Sequence, residues 1–256
     1  MSANVLTFSA IKVYDQNKEV KQDENGYYYV TLGALNCFNS SGAYYVADGV
    51  KDLIENESNL FAKRLANGYL NGEMGHPSFI PGMSHNDFLI RNLKIEQSNI
   101  SHHIRSVELI PTDEDSGLPG GGKIIKVMGW VKPAGEKGAF LKEALDNPDQ
   151  NVAFSVRSLT NDKPVKGVII KKIMQIVTWD WVVEPGIKCA NKWSTMSMES
   201  ADLMTINIAD IEKVVSENLK YGIGLESDNY DIRTMLKEVN QRIEINTTSV
   251  NTFNNW

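Results

Sequence analysis

Histidine and cysteine are scarce in this chain, four and two residues in 256, and their scarcity removes several chemistries. Cys37 and Cys189 stand far apart in no metal-binding spacing, which points to free thiols in a reducing compartment rather than a disulfide framework. The histidines are His76, His85, His102 and His103. No His-Glu-x-x-His occurs, and Glu73-x-x-His76 is half a metal site where three or four ligands are needed. Neither a metal nor a cofactor is expected. Positive charge is not in excess either. The net charge of −6 disfavours a nucleic-acid partner, which asks for a concentrated basic face. The local run Lys163, Lys166, Lys171 and Lys172 is interrupted by Pro164 and by valines and isoleucines, and reads as a solvated strand face. No apolar run approaches the roughly 20 residues that span a bilayer. Met1-Ser2-Ala3-Asn4 opens no signal-peptide core, so a soluble, intracellularly made chain without a membrane partner is expected.

Two familiar motifs are missing as well. Gly-x-Ser-x-Gly, the strand-to-helix elbow of many hydrolases, is absent. Gly117-Leu118-Pro119-Gly120-Gly121-Gly122-Lys123 matches the phosphate-binding spacing only until Ile124 replaces the magnesium-binding hydroxyl. It also follows Asp113-Glu114-Asp115 and opens a strand-like run, so it is a glycine-rich hairpin loop.

What is present is a core: 42% hydrophobic and 23% charged residues exclude global disorder, and the length suits one ordinary to large domain, or one domain with an appendage. Val5 to Tyr14 and Tyr27 to Thr31 read as strands. Ala47 to Leu70 reads as one helix, or two with a break near Asn56, because Val50, Leu53, Ile54, Leu60, Phe61 and Leu65 recur at helical spacing. Strands follow at Ile100–Ile110 and Ile124–Val131, then a short helix at Gly138–Leu145 and a buried strand at Val152–Val156. A further pair of strands is expected between Val165 and Val183. Beyond Pro185-Gly186 the chain turns rich in Ser, Asn, Met and charge, with helical patterns at Ile208–Leu219 and Tyr230–Ile243. This divides the chain into a main domain, 1–190, and an appended segment, 191–256, on a flexible linker.

Three stretches can carry chemistry. Gly72-Glu73-Met74-Gly75-His76-Pro77 holds a histidine between a residue that turns freely and one that fixes the chain, the restricted setting a general base needs. Val152-Ala153-Phe154-Ser155-Val156-Arg157-Ser158 places Ser155 and Arg157 on one strand face, either as a functional pair or as a half-exposed edge strand. Thr178-Trp179-Asp180-Trp181 places a carboxylate between two tryptophans. Either it is exposed opposite a buried tryptophan face, or it is buried and needs a partner such as a histidine N–H.

In this order and spacing, the three stretches resemble the prohead core proteases of contractile-tailed bacteriophages, relatives of the herpesvirus maturation protease assemblin. Asn99-Ile100-Ser101-His102, Val127-Met128-Gly129-Trp130-Val131 and Gly138-Ala139-Phe140-Leu141 are similar to the family's intervening elements, so the resemblance covers roughly residues 60 to 187. It implies an α+β fold, a herpesvirus-protease-like bent antiparallel β-barrel surrounded by helices, with a C-terminal helical appendage. It also implies a serine endopeptidase in which Ser155 is the nucleophile, His76 the general base and Asp180 the residue that orients the imidazole. Arg157, matching the family's Ser-x-Arg, either supports the oxyanion site or braces the strand. The glycines that often flank that core are replaced here by Ala153-Phe154 and Ser158, which bears on specificity more than on reaction type.

The implied substrates are prohead scaffold or core proteins, the major capsid protein and the enzyme itself, cut inside a prohead assembled in the host cytoplasm. Cleavage after Glu in short motifs would place self-processing sites at Glu199 and Glu226, making 191–256 a propeptide or core-targeting tail. Assemblin relatives are regulated by self-association, which allows a homo-oligomer, although no stripe marks its interface. The rival readings are a catalytically inactive structural component of the prohead core with the same fold, and a metal-dependent hydrolase built on Glu73 and His76.

Overall fold

The strand-favouring run after the Asp23–Gly26 turn becomes β1 (Tyr28–Leu35), followed by the short strands β2 (Cys37–Phe38) and β3 (Tyr44–Val46). The computed structural model describes residues 20–193, 212–217 and 230–242. The strand expected at Val5–Tyr14 lies outside these residues. The helical run breaks at Asn56 into α1 (Val50–Glu55) and α2 (Leu60–Ala66). β4 (Asn71–Glu73) then leads into the loop before α3 (His85–Leu93). A 3₁₀ turn at Gln97–Asn99 delivers the chain to β5 (Ile100–Asp115), β6 (Lys123–Pro133), α4 (Gly138–Asp146), β7 (Ala153–Val165) and β8 (Val168–Val182).

Among the described residues, strand pairing gives two four-stranded sheets, β1-β6-β5-β4 and β2-β3-β8-β7. All pairs are antiparallel except β3 with β8. This is a mixed α+β fold, and among the described residues the two sheets do not close into a barrel, whereas the resemblance implies a bent antiparallel one. They touch where Met74, just past β4, bridges Trp181 of β8.

The pair of strands expected between Val165 and Val183 is one long strand. Its partner is β7, and the two-residue turn Lys166-Gly167 joins them with both φ angles positive, 48° and 83°. That turn matches the right-handed twist of a hairpin. The lysine run also divides. Lys163 and Lys166 are exposed, whereas Lys171 is buried against Asp162 and Lys172 pairs with Asp48.

β8 is apolar on both faces because both are covered. Ile173, Ile176 and Trp179 join the main core with Leu32, Phe61, Ile104 and Phe154. Met174 and Val177 enter a second cluster with Leu60, Leu89, Ile90 and Leu93, which residues 214–215 and 232–239 complete through Val214, Val215, Ile232, Met235, Leu236 and Val239. The helix at 230–242 is also tied by polar bonds. Glu238 accepts from the Leu60 N–H at the start of α2 at 2.8 Å, and Arg242 reaches Asp52 at 3.1 Å. Among the described residues, no helix is long and apolar enough to cross a membrane.

Candidate active site

The two glycines of Gly72–Pro77 do different work. A Cβ on Gly72 would lie 2.2 Å from the Trp179 carbonyl oxygen and 2.3 Å from the His102 ring, so only glycine lets β4 come this close to β8. Gly75 has open space around it but φ of 77°, a backbone setting that L side chains resist. Its N–H donates to the Trp181 carbonyl at 2.6 Å, pinning the turn to the end of β8. His76 follows at once.

The imidazole Nδ1 lies 2.7 Å from Asp180 Oδ2. Asp180 is fully buried, and its Oδ1 accepts from Arg157 Nη2 at 2.9 Å and from the Glu73 backbone N–H at 3.1 Å. A carboxylate paired this way only accepts, so Nδ1 carries the proton. That tautomer leaves the Nε2 lone pair free as a base.

Behind Asp180 the charges form a chain. Arg157 Nη2 also binds Glu73 Oε1 at 3.0 Å, while its Nη1 donates to the Lys94 carbonyl at 2.9 Å. Glu73 takes a two-pronged ion pair from Arg91, a 2.8 Å bond from the Glu96 N–H and a 3.0 Å bond from Asn99 Nδ2. Burial opposes ionisation of Glu73. The Arg91 hydrogen bonds, the Arg157 charge and the Asn99 and Glu96 donors outweigh it, holding the carboxyl at about 2. A carboxylate surrounded by five donor groups has no lone pair to offer a metal, so Glu73 is a structural acceptor rather than half of a metal site.

Ser155 and Asp180 are direct cross-strand partners in β7 and β8, so their side chains share a face. Ser155 is half-buried. Among the described residues, no hydrogen bond joins its hydroxyl to His76 or to any other group. Among the described residues β7 is an edge strand of its sheet, and its first residues are covered by a short return of the chain: Phe154 N–H donates to the Ala190 carbonyl at 2.8 Å, and Lys192 N–H to the Val152 carbonyl at 2.6 Å.

His102 stands beside this cluster, stacked edge-on to Phe154 with ring centroids 5.4 Å apart. Burial lowers its pKa to about 4, against the opposing pull of Asp180, so the ring is neutral. Its Nδ1 bonds Ser101 Oγ at 2.9 Å, and the Trp179 backbone acts on the ring as well.

The sequence-derived residues therefore converge. His76 and Arg157 touch Asp180, and Ser155 lies across from it. The two readings of Asp180 resolve to the buried, paired one. Arg157 has both terminal nitrogens bonded within this cluster, to Glu73, Asp180 and the Lys94 carbonyl. Glu199 and Glu226 lie outside the described residues. Arg91 and Asn99 escaped the sequence reading. The available signal for Arg91 was the cap Ser84-x-x-Asp87, in which Ser84 Oγ accepts from the Asp87 N–H at 3.1 Å and starts the helix that carries Arg91. Among the described residues, no three His, Cys, Asp or Glu side chains are grouped to hold a metal ion.

No solved structure matches this chain. A curated relative, the capsid maturation protease of Pseudomonas phage phiKZ, is 35% identical over 202 residues, covering 76% of this chain and 72% of the relative. The family model of Peptidase S80 matches residues 7–239, a span that takes in both sheets and reaches into the helix at 230–242. The resemblance to the phage prohead maturation proteases thus holds across nearly the whole chain, which belongs to the Peptidase S80 family.

Proposed function

We propose that this chain is a serine endopeptidase that matures a phage capsid from inside the prohead, with scaffold or core proteins and the major capsid protein as substrates. The observation that carries the reading is the 2.7 Å contact of His76 with a buried Asp180 whose cross-strand partner is Ser155. In the reaction Ser155 Oγ attacks the scissile carbonyl and its proton passes to His76 Nε2. Asp180 keeps the imidazole in the productive tautomer and stabilises the cation. The imidazolium then protonates the leaving amine. Water, deprotonated by the same histidine, releases the acyl group from Ser155. The Ser155–His76 hydrogen bond forms when substrate fills the site, since catalytic hydrogen bonds are commonly completed only in the complex.

In the same reading, the two sheets correspond to the halves of a herpesvirus-protease-like bent barrel, meeting at Met74 and Trp181. The segment after residue 190 serves as a propeptide or core-targeting element, cut after Glu199 or Glu226. Co-expression with the capsid and scaffold proteins tests the function. Ser155→Ala and His76→Gln leave both substrates full-length while the wild type shortens them. Cleavage by either folded variant contradicts the reading.

A further inference from the structure

Four charged groups run from solvent-facing His76 to the last turn of α3, and their signs alternate. Asp180 is negative, Arg157 positive, Glu73 negative and Arg91 positive, each in direct contact with the next. The four charges sum to zero while His76 is neutral. In a simple triad the carboxylate's whole negative charge supports the imidazolium. Here Arg157 binds that carboxylate directly and would cancel much of its effect, were it not itself bound to Glu73. Glu73 in turn is shared with Arg91. Every group in the relay except His76 is buried or nearly so, in surroundings where a full charge is felt over several ångströms.

We propose that Glu73 and Arg91 are positioning residues that set the proton affinity of His76 through Arg157 and Asp180, with opposite signs. Glu73 restores to Asp180 the negative character that Arg157 withdraws, and Arg91 limits how far this goes. The proposal rests on the reading of His76 and Asp180 as the base pair of the enzyme. The groups facing this pair are Arg157 from β7, Glu73 from β4, Arg91 from α3 and the neutral His102 from β5, with Glu96 acting on Arg91 from the turn before β5. None of them but Glu73 and Arg91 is altered in the test. A merely structural role makes a different forecast: loss of either residue loosens Arg157 and disturbs Asp180 in the same way.

The experiment is an NMR titration of the His76 ring in full-length Ser155→Ala protein, which removes self-digestion and makes the readout independent of activity. The four histidines are assigned with His76→Gln. Glu73→Gln leaves the cluster with an extra positive charge and should move the His76 titration midpoint down by about one pH unit. Arg91→Gln leaves an extra negative charge and should move it up by a similar amount, the scale expected for one charge a few bonds away in a buried setting. Arg91→Lys keeps the charge and should leave the midpoint near that of the parent. Shifts of the same sign in the two glutamine variants, or no shift, overturn the proposal. If Glu73→Gln does not fold, the Arg91 pair decides alone: an upward shift in Arg91→Gln that Arg91→Lys lacks supports it, and equal behaviour of the two refutes it. Failure of the serine-protease reading is separately visible as cleavage by Ser155→Ala, which leaves these midpoints untouched.

Discussion

Asp180 and His76 meet at 2.7 Å from opposite extremes of exposure: the carboxylate side chain has no accessible surface, and the imidazole shows 40% of its own. A buried acceptor fixes the ring while its other edge faces solvent. The contact joins two parts of the chain that sequence separates by more than a hundred residues.

Asp180→Asn tests what the buried oxygen contributes. The amide can donate to Nδ1, which then accepts, and the proton moves to Nε2 where a free lone pair is needed. kcat should fall by about 10⁴-fold with KM little changed, the size of effect a wrong tautomer has in triad enzymes. Steady-state kinetics on a peptide substrate reads the split.

Gly72→Ala and Gly75→Ala should fail in different ways. At Gly72 the new methyl meets backbone oxygen at 2.2 Å, so β4 must leave its place beside β8 and the protein should lose several kcal/mol of stability or not fold. At Gly75 the methyl meets nothing, and the cost is that of the left-handed backbone, about 1–2 kcal/mol. Gly75→Ala should fold, melt slightly lower and lose activity because the His76 turn shifts. Thermal unfolding beside peptide cleavage separates the two.

Acid should unfold the protein in two overlapping stages. His102 is held neutral at about 4, below its ordinary 6.5, so the unfolded chain takes up its proton first and stability falls as pH drops from 6.5 towards 4. Glu73 is held at about 2, below 4.5, so its contribution is complete above 4.5 and is lost as pH falls towards 2. Each stage is worth on the order of 3 kcal/mol. Urea unfolding at a series of pH values should show both, and His102→Gln should remove the upper stage alone.

Met235 tests how the C-terminal helix is attached. It is fully buried in the cluster with Leu89, Leu93 and Val177, so Met235→Ala should lower the stability of the protein by about 2–5 kcal/mol. A freely tethered tail would leave the melting of the main domain unchanged. The result also bears on self-processing, since cleavage after Glu226 would release the 230–242 helix from covalent attachment. Intact mass should show a product ending at Glu199 or Glu226 in the wild type, and only the full chain in Ser155→Ala.

Where the local pattern was strong, the sequence was readable. The break at Asn56 between α1 and α2, the β5–β6 hairpin with its glycine loop, and α4 follow from periodicity and turn chemistry. The β7–β8 hairpin was harder, since Lys166 adopts a positive φ that lysine rarely takes and the apolar run of β8 lacks alternation because both faces are covered. His76, Ser155 and Asp180 stood out through their neighbours. Glu73 stood out only as half of a metal site, because its partners Arg91, Asn99 and Arg157 come from α3, the following turn and β7, and nothing local in Gly72–Pro77 announces them. The C-terminal segment looked detachable for a similar reason: its polar linker is visible in sequence, while the groove on β8 that receives Ile232 and Met235 exists only once the sheet has formed.

The most direct test of the account is covalent. The wild type, treated with a fluorophosphonate and digested for mass spectrometry, should carry one adduct, on Ser155, and the adduct should vanish in Ser155→Ala and drop sharply in His76→Gln and Asp180→Asn. An unlabelled Ser155 in a preparation that cleaves its substrates, or an adduct that survives Ser155→Ala, would contradict it.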